Sequence, residues 1–378
     1  MKIGIITQPL AINYGGLLQN YALQTILKRL GHDVYTINRI DIPEIYVSNI
    51  FQKSRFFVNQ IIKRILGRPF NLLYHEYNHI RKNCINFVCR NINLTETFKS
   101  QEDLLRLINE YDFDGYVVGS DQVWRPCYSL NIYNDFLDFC QDKINIKRIA
   151  YAASFGVKDW EFTDEGTKEC SRLLRLFDAV SVRESSGMEL CEKYLGVNAA
   201  HVLDPTLLLE KDDYIKLVEE NKEPHCSGNL FCYILDNNEI IENAINDIER
   251  KMSLKSFQVK AEKNNPEHRR WNGLDDYVVP SPTKWLRAFM DTEIVFTDSF
   301  HGCVFSIIFN KQFWVIGNKD RGNARFESLL QLFGLEDRRI NIEDVNKVNL
   351  SVKIDWDRVN SIKEEWKKKS ISFLKDNL

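Results

Sequence analysis

The segment TDSFHG at residues 297–302 holds the side chains best suited to chemistry. An apolar stretch before it predicts a strand, and the apolar run at 303–309 predicts a helix. His301 would then lie in the first helical turn, beside backbone N–H groups that have no partner within the helix. An anion bound there would meet the helix dipole, the Ser299 hydroxyl and the imidazole together. Because a bound phosphate favours the protonated imidazole, this segment predicts a general acid.

A second polar cluster follows the first predicted strand, at Asn13, Tyr14, Gly15 and Gly16. Two glycines allow a backbone to approach a ligand closely, and the helix that follows attracts phosphate at its N-terminus. We interpret the cluster as substrate-binding, and the alternative is a plain tight turn. It is not a GxGxxG fingerprint, and no acidic residue stands where a ribose would need one. Nicotinamide binding is therefore not expected.

A third cluster, GSDQVW at residues 119–124, follows another predicted strand. Asp121 is either a cap of the next helix or a carboxylate that accepts a proton from a hydroxyl. In the second case, Gln122 and Trp124 would offer a surface for a sugar. We treat Asp121 as a catalytic candidate and its two neighbours as substrate-binding candidates.

Arginines provide the cations that an anionic substrate requires. Arg183 ends a predicted strand, where its planar fork would grip a phosphate or a carboxylate, or would pair with Glu184 instead. Arg321 and Arg325 open a later helix and would add two cations near the same face.

Strands and helices alternate in both halves of the chain, which predicts an α/β protein with two Rossmann-like, doubly wound parallel sheets facing a cleft. We assign residues 1–180 to a first domain, with a helical insertion at about 51–91, and residues 181–350 to a second domain. The segment DPT at 204–206 is interpreted as a turn at the boundary of the lobes or a cap. Residues 351–378 predict a C-terminal helix.

Composition excludes several classes of protein. The 378 residues are 44% hydrophobic and 27% charged, as in a globular chain of two domains. A net charge of −3 provides no basic field for nucleic acid. The nine cysteines show no CxxC spacing, so we expect buried free thiols and no metal site. The N-terminus does not resemble a signal peptide and no 18-residue apolar run occurs, so we expect a cytoplasmic protein.

These clusters, in this order, resemble the polysaccharide pyruvyl transferase family. The resemblance extends from Met1 to Arg338, and it is specific because several weak motifs occur in register. The matching segments are NYGG at 13–16, LQ at 18–19, YALQ at 21–24, VGSDQVW at 118–124, SVRE at 181–184, VLDPTLL at 202–208 and TDSFHG at 297–302.

The resemblance implies a GT-B-like fold and a reaction. Such enzymes transfer the enolpyruvyl carbons of phosphoenolpyruvate onto two hydroxyls of a sugar, forming a pyruvate ketal on a precursor of a bacterial surface polysaccharide. Phosphoenolpyruvate is the donor substrate, the acceptor glycan is lipid-linked or nucleotide-linked, and neither a metal nor a further cofactor is implied. His301 would be the proton donor or the phosphate partner, Arg183 a phosphoenolpyruvate ligand, and Asp121 a residue of the acceptor side.

One departure from the family pattern needs compensation. Relatives carry an arginine and a leucine directly before this histidine, where the present chain has Ser299 and Phe300. We expect Arg325, or failing that Arg321, to supply the missing cation.

Two alternatives remain open at this point. One is a GT-B glycosyltransferase that uses a nucleotide sugar, with Glu327 gripping the ribose hydroxyls. The other is a glycan-binding protein without catalysis. The lysine-rich tail helix would either pack back on the first lobe, which we favour, or make peripheral contact with a membrane.

Overall fold

Two parallel β-sheets, of seven and five strands, organise the chain. They are seen in a computed structural model that describes residues 1–39, 50–66, 72–263, 273–317, 323–342, 349 and 351–378. Helices flank both sheets. The prediction of an α/β protein with two Rossmann-like parallel sheets is therefore confirmed.

The first sheet begins with the short apolar run after Met1, which is buried from Ile3 onward as a central parallel strand must be. Its elements are β1 (Lys2–Ile6), α1 (Tyr14–Arg29), β2 (Asp33–Arg39), α2 (Ile50–Ile65), α3 (Tyr74–Ile80), α4 (Lys82–Asn91), β3 (Leu94–Phe98), α5 (Gln101–Tyr111), β4 (Gly115–Val118), β5 (Lys147–Ala153), α6 (Asp164–Leu174), β6 (Ala179–Val182), α7 (Ser185–Leu190) and β7 (Ala200–His201). The strand order is β3-β2-β1-β4-β5-β6-β7. We call this sheet with its helices the first lobe.

The second sheet is smaller and differently ordered. Its elements are α8 (Lys211–Glu220), β8 (Leu230–Tyr233), α9 (Glu239–Met252), β9 (Ser256–Phe257), α10 (Pro282–Asp291), β10 (Ile294–Thr297), α11 (Phe300–Ile308), β11 (Gln312–Ile316), α12 (Ala324–Phe333) and β12 (Arg339–Ile340), followed by α13 (Trp356–Asn377). The strand order is β12-β11-β10-β8-β9. We call residues 211–340 the second lobe.

Each sheet has one point at which the direction of strand addition reverses. It lies between β1 and β4 in the first sheet and between β8 and β10 in the second. The carboxyl ends of the strands on either side of such a point form a crevice in which α/β proteins bind ligands.

The boundary between the lobes differs from the predicted one. Residue 180 lies inside β6, and β6 pairs with β7 through Ser181 and Ala200 in the first sheet. The domain boundary at residues 180 and 181 is therefore wrong, because it would cut a strand. The first sheet ends at His201, and the interpretation of the 204–206 segment as a boundary turn agrees with this position.

The segment predicted as a helical insertion forms α2, α3 and α4 in its described part. It leaves the sheet after β2 and returns at β3. It also reaches the second lobe, because the Asn83 side chain donates to the Val279 carbonyl at 2.9 Å and the Val279 N–H donates to the Ile80 carbonyl at 2.8 Å.

The tail helix α13 packs back on the first lobe, as we favoured. The Leu203 N–H donates to the Ser370 hydroxyl at 3.0 Å, and the ring of Phe373 lies 6.2 Å from that of Tyr151. Leu374 is fully buried. Nowhere in the described ranges does a helix combine the length and apolar character needed to cross a membrane.

Candidate functional site

A pocket opens where the two reversal points face each other. Residues from the carboxyl ends of β1, β4, β8 and β10 line it, together with the first turns of α11 and α12. The lining side chains are those of Asn13, Asp121, Gln122, Tyr128, Leu235, Asp298, Ser299, Phe300, His301, Arg325 and Phe326. The pocket thus unites residues of the segment at 297–302 with residues of the second and third polar clusters, at 13–16 and 119–124.

His301 owes its position to the turn between β10 and α11. The Ser299 side chain caps α11 by accepting the Gly302 N–H, and the Ser299 N–H donates to the Thr297 hydroxyl at 3.0 Å. A Cβ at Gly302 would lie 2.3 Å from the Thr297 hydroxyl oxygen, so only glycine fits there. The turn therefore places His301 in the first turn of the helix, as predicted.

The glycines after β1 make room for side chains. A Cβ at Gly15 would lie 2.0 Å from Nδ1 of His301, so the imidazole of the second lobe rests on Gly15 of the first. A Cβ at Gly16 would lie 3.4 Å from Oδ2 of Asp121, which is ordinary contact. The Asn13 side chain caps α1. The absence of a side chain at Gly15 thus makes room for the imidazole of His301, whereas we expected it to make room for a ligand.

A chain of charged groups runs beneath the pocket. Arg183 donates from Nη1 to Oδ2 of Asp204 at 2.7 Å and from Nη2 to Oδ1 of Asp121 at 3.3 Å. Nε2 of His301 lies 3.6 Å from the same Asp204 oxygen, an ion-pair distance rather than a hydrogen bond. Thr206 donates its hydroxyl to the other oxygen of Asp204 at 2.6 Å. The guanidinium of Arg183 therefore joins two carboxylates and does not face the pocket.

Both carboxyl groups remain ionised in spite of burial. Burial alone would raise the pKa of Asp204, but the interactions with His301, Arg183 and Thr206 outweigh it, so the pKa is lowered. Burial acts on Asp121 in the same direction, and the charges of Arg183, His301 and Arg325 outweigh it too, so the pKa of Asp121 is also lowered. Two negative charges therefore lie among three basic side chains.

Arg325 reaches the pocket in which a replacement cation was expected. Burial, and next the like charge of Arg183, lower its pKa to about 10, so it stays protonated at neutral pH. The ring of Phe300 lies against both arginines, with its centroid 4.6 Å from Cζ of Arg183 and 5.6 Å from Cζ of Arg325. Arg321, the other candidate cation, lies outside the described residues.

Trp124 and Tyr14, the two aromatic candidates for substrate binding, are buried in the protein instead. Trp124 is fully buried, stacks on Phe136 at 5.1 Å and donates its indole N–H to the Asp135 carbonyl. Tyr14 is buried against Trp285, and its hydroxyl donates to the Pro280 carbonyl at 2.9 Å, which ties α1 to the second lobe. The interpretation of both as substrate-binding is therefore wrong, because neither exposes its ring to the pocket.

The predicted role of Arg183 also changes. Its side chain is 1% exposed, and it is not among the described residues that line the pocket. It positions Asp121 and Asp204 instead of offering its fork to a ligand. Glu184, the alternative partner, accepts from the Ser154 hydroxyl at 2.9 Å.

Sequence reasoning missed the contribution of Asp204 and Phe300. Asp204 was interpreted only as part of a turn, although its motif was among the matching segments. The signal was the presence of a buried arginine, which requires carboxylate partners. Phe300 was noted only as a departure from the family pattern, and its ring proves to contact both arginines.

Glu327 forms ion pairs outside the pocket. It pairs with Lys158 at 2.5 Å and with Arg339 at 2.8 Å, and it does not line the pocket. The residue proposed to grip a ribose therefore offers no support for a nucleotide sugar in this site.

Comparison with known proteins identifies the family. A family model described as polysaccharide pyruvyl transferase matches residues 13–320, a span that contains every described residue of the pocket except Arg325 and Phe326. The chain belongs to this family. As a polysaccharide pyruvyl transferase family member, it is a transferase of polysaccharide metabolism. No curated protein sequence matches the chain.

Solved structures give weaker likenesses. A glycosyltransferase from Rickettsia africae is 8% identical, with 98% of this chain and 93% of that chain covered and a TM-score of 0.49. The UDP-GlcNAc 2-epimerase from Methanocaldococcus jannaschii is 12% identical, with 96% and 92% covered and a TM-score of 0.48. The UDP-GlcNAc 2-epimerase from Neisseria meningitidis is 9% identical, with 98% and 94% covered and a TM-score of 0.49. Likenesses of this size transfer neither substrate nor activity to this chain.

Proposed function

We propose that this protein transfers the enolpyruvyl carbons of phosphoenolpyruvate onto two hydroxyls of a sugar in a bacterial surface-polysaccharide precursor, forming a cyclic pyruvate ketal and releasing phosphate. One observation carries the proposal. His301 and Arg325 share a buried pocket with the N-terminal turn of α11, and the ionised carboxylate of Asp121 lines the same pocket from the first lobe.

The donor carries a phosphate and a carboxylate, so it requires cations and backbone N–H groups. The second lobe offers both, through Arg325 and through the first turn of α11 beside Ser299. Arg325 takes the place of the cation that relatives carry at position 299. The acceptor then enters from the side of the first lobe, where Asp121 and Gln122 line the pocket.

The reaction adds a proton to one carbon and removes a proton from each of two hydroxyl oxygens. His301 donates a proton to the methylene carbon of the donor, which leaves a cationic C2 that the first sugar hydroxyl attacks. Asp121 accepts the proton of that hydroxyl. The C2–phosphate bond then breaks, the second hydroxyl adds to C2, and its proton leaves with the phosphate. Both hydroxyl protons are accounted for, one in the new methyl group after relay to His301 and one on the phosphate.

The network beneath the pocket supports these roles. Arg183 holds Asp121 in place and keeps it ionised, as a proton acceptor must be before the reaction. The carboxylate of Asp204 lies 3.6 Å from Nε2 of His301 and helps to orient the imidazole.

The decisive experiment incubates the protein with phosphoenolpyruvate and a panel of lipid-linked and nucleotide-linked sugar acceptors. We expect one phosphate released per acceptor modified, and a product heavier than the acceptor by pyruvic acid less one water in mass spectrometry. A product heavier by a sugar residue, obtained with a nucleotide sugar, would support a glycosyltransferase instead.

Calorimetric titration with phosphoenolpyruvate tests the donor separately. We expect binding by the wild type and weaker binding by the Arg325→Leu variant. Absence of binding by the wild type would overturn the choice of donor.

A further inference from the structure

Helix α2 presents an apolar face to solvent. Phe57, Val58, Ile62 and Ile65 are 48%, 53%, 48% and 78% exposed, and Leu66 directly after the helix is 58% exposed. Residues 58, 62 and 65 follow the spacing of one helical face, and residue 57 adjoins it. Exposed large apolar side chains in such a contiguous group mark an interaction surface rather than ordinary surface.

The opposite side of α2 is the one that the protein covers. Gln60, about 200° around the helix from Val58, is 2% exposed. The half-buried Phe56 lies on this same side, so the protein covers one side of α2 and leaves large apolar side chains on the other side exposed. An apolar surface of this kind is stabilised by an apolar environment outside the molecule.

The charge of α2 indicates what that environment is. Its 16 residues include four basic and no acidic side chains, in a chain whose net charge is −3. Arg55 is exposed on the apolar side and Lys63 is half-buried at its margin. An exposed apolar helix face that also carries basic side chains is typical of helices that lie in the interface of a membrane containing anionic lipids.

The tail helix provides an internal contrast. Helix α13 is also rich in lysine, but it buries Val359 and Leu374 against the protein. Its apolar side is therefore occupied. Of the two helices, α2 is the one with apolar area left for a bilayer.

We propose that α2 docks the protein on a membrane surface that contains anionic lipids, lying in the interface without crossing the bilayer. Helix α2 is the first described helix after β2 in the chain and belongs to the first lobe. The inference rests on the helix alone and stands whether or not the proposed reaction is correct.

Flotation of the full-length protein with lipid vesicles tests this inference. We expect binding to phosphatidylcholine vesicles that contain about 30 mol% phosphatidylglycerol, weaker binding to pure phosphatidylcholine, and a loss of binding as salt rises from about 0.1 to about 0.5 M. The triple variant Phe57→Ser, Ile62→Ser, Ile65→Ser should bind at least about tenfold less. The pair Arg55→Glu, Lys63→Glu should weaken binding to the anionic vesicles and reduce its salt dependence.

A matched control uses apolar residues exposed elsewhere. Leu130 and Ile144 are 93% and 85% exposed, and the pair Leu130→Ser, Ile144→Ser should bind vesicles as the wild type does. All variants should keep the wild-type thermal unfolding midpoint, because the changed residues are exposed or at a margin. Lack of vesicle binding by the wild type, or undiminished binding by the triple variant, would overturn the inference. A dimer that the triple variant dissociates would overturn it too, since a second copy would then cover the face.

Discussion

The turns after β4 and β10 occupy equivalent places in the two lobes, and both contain an aspartate. In the first lobe, Asp121 binds Arg183 and lines the pocket. In the second lobe, both oxygens of Asp298 are taken by the backbone N–H groups of Leu235 and Asp236, at 2.7 and 3.0 Å. The second aspartate therefore organises the neighbouring loop, and the histidine three residues later is the proposed proton donor.

The difference shows that a polar residue at a strand end acquires its role from its partners. The first lobe holds its charges in place by pairing them with one another. The second lobe directs His301 and Arg325 towards the space between the lobes. Substitutions in the first lobe should therefore affect stability more, and substitutions in the second lobe should affect catalysis more.

The strongest test of this division is His301→Ala. Loss of a positioned general acid should lower kcat for ketal formation by about 10²–10⁴-fold. The fold should persist, since the imidazole fills a gap at the lobe interface and holds no element together. The matched control is His225→Ala, because His225 is an exposed histidine that pairs with Asp291. If His301→Ala kept the wild-type kcat, measured as phosphate release, His301 would not take part in the reaction.

Arg183→Leu and Arg325→Leu should separate stability from binding. Removing Arg183 leaves Asp121 and Asp204 buried without their shared cation, which should cost about 3–5 kcal/mol in the free energy of unfolding. Removing Arg325 removes its attraction to Asp121 but also its repulsion from Arg183, so it should cost less stability than removing Arg183; it should raise the KM for phosphoenolpyruvate about tenfold. Urea unfolding and steady-state kinetics measure the two effects. The reverse pattern would contradict the proposed division between the lobes.

Gly15→Ala and Gly16→Ala form a matched pair at adjacent positions of one helix. The new Cβ at position 15 would meet His301 at 2.0 Å and must displace it, whereas the Cβ at position 16 would make ordinary contact with Asp121 at 3.4 Å. We expect Gly15→Ala to lower kcat/KM about 10- to 100-fold, as misplacement of a catalytic group does, and Gly16→Ala to stay near the wild type. Equal effects in both variants would show that the imidazole does not depend on this contact.

Phe300→Leu restores the residue type of the relatives and should have a smaller effect. The ring faces two guanidinium groups, and each such contact contributes about 0.5–2 kcal/mol. Loss of the ring should raise the KM for phosphoenolpyruvate several-fold with kcat nearly unchanged, because Arg325 would be less well held. Phe300→Tyr, which keeps a ring, should retain the wild-type KM. A fall in kcat instead would place Phe300 at the reacting atoms.

The smallest expected effect concerns acid stability. The pKa of Asp121 is lower in the folded protein than the value near 3.9 of an unfolded chain, so its contribution to stability is present above that value and is lost as pH falls through the folded pKa. Asp121→Asn should therefore lose less stability than the wild type between neutral and strongly acidic pH. Urea unfolding at several pH values measures the slope, and equal slopes would show that Asp121 is not linked to folding.

Much of the fold follows from the sequence for physical reasons. Buried parallel strands are short apolar runs, and the polar residues that end them mark the edge at which ligands bind, so the position of His301 could be derived from β10 and α11 alone. The lobe boundary could not, because β7 has two residues and shows no periodicity.

The side chains at the site were harder to place. A tryptophan after a strand is equally suited to a core and to a sugar platform, and only the packing of Trp124 on Phe136 decides between them. The network of Arg183, Asp121 and Asp204 joins residues up to 83 positions apart, which no local pattern reveals. A cationic role for Arg325 could be predicted, because Ser299 stands where relatives carry an arginine and another cation was therefore expected nearby.

The contact between His301 and Gly15 has a consequence for how the protein works. His301, the proposed proton donor, belongs to one lobe, whereas Asp121, the proposed base, belongs to the other. In the proposed reaction, acid and base would therefore be together only while the two lobes are in contact. A donor bound to the second lobe alone would then be protected from protonation and from loss to water, so the reaction would depend on the contact between the lobes.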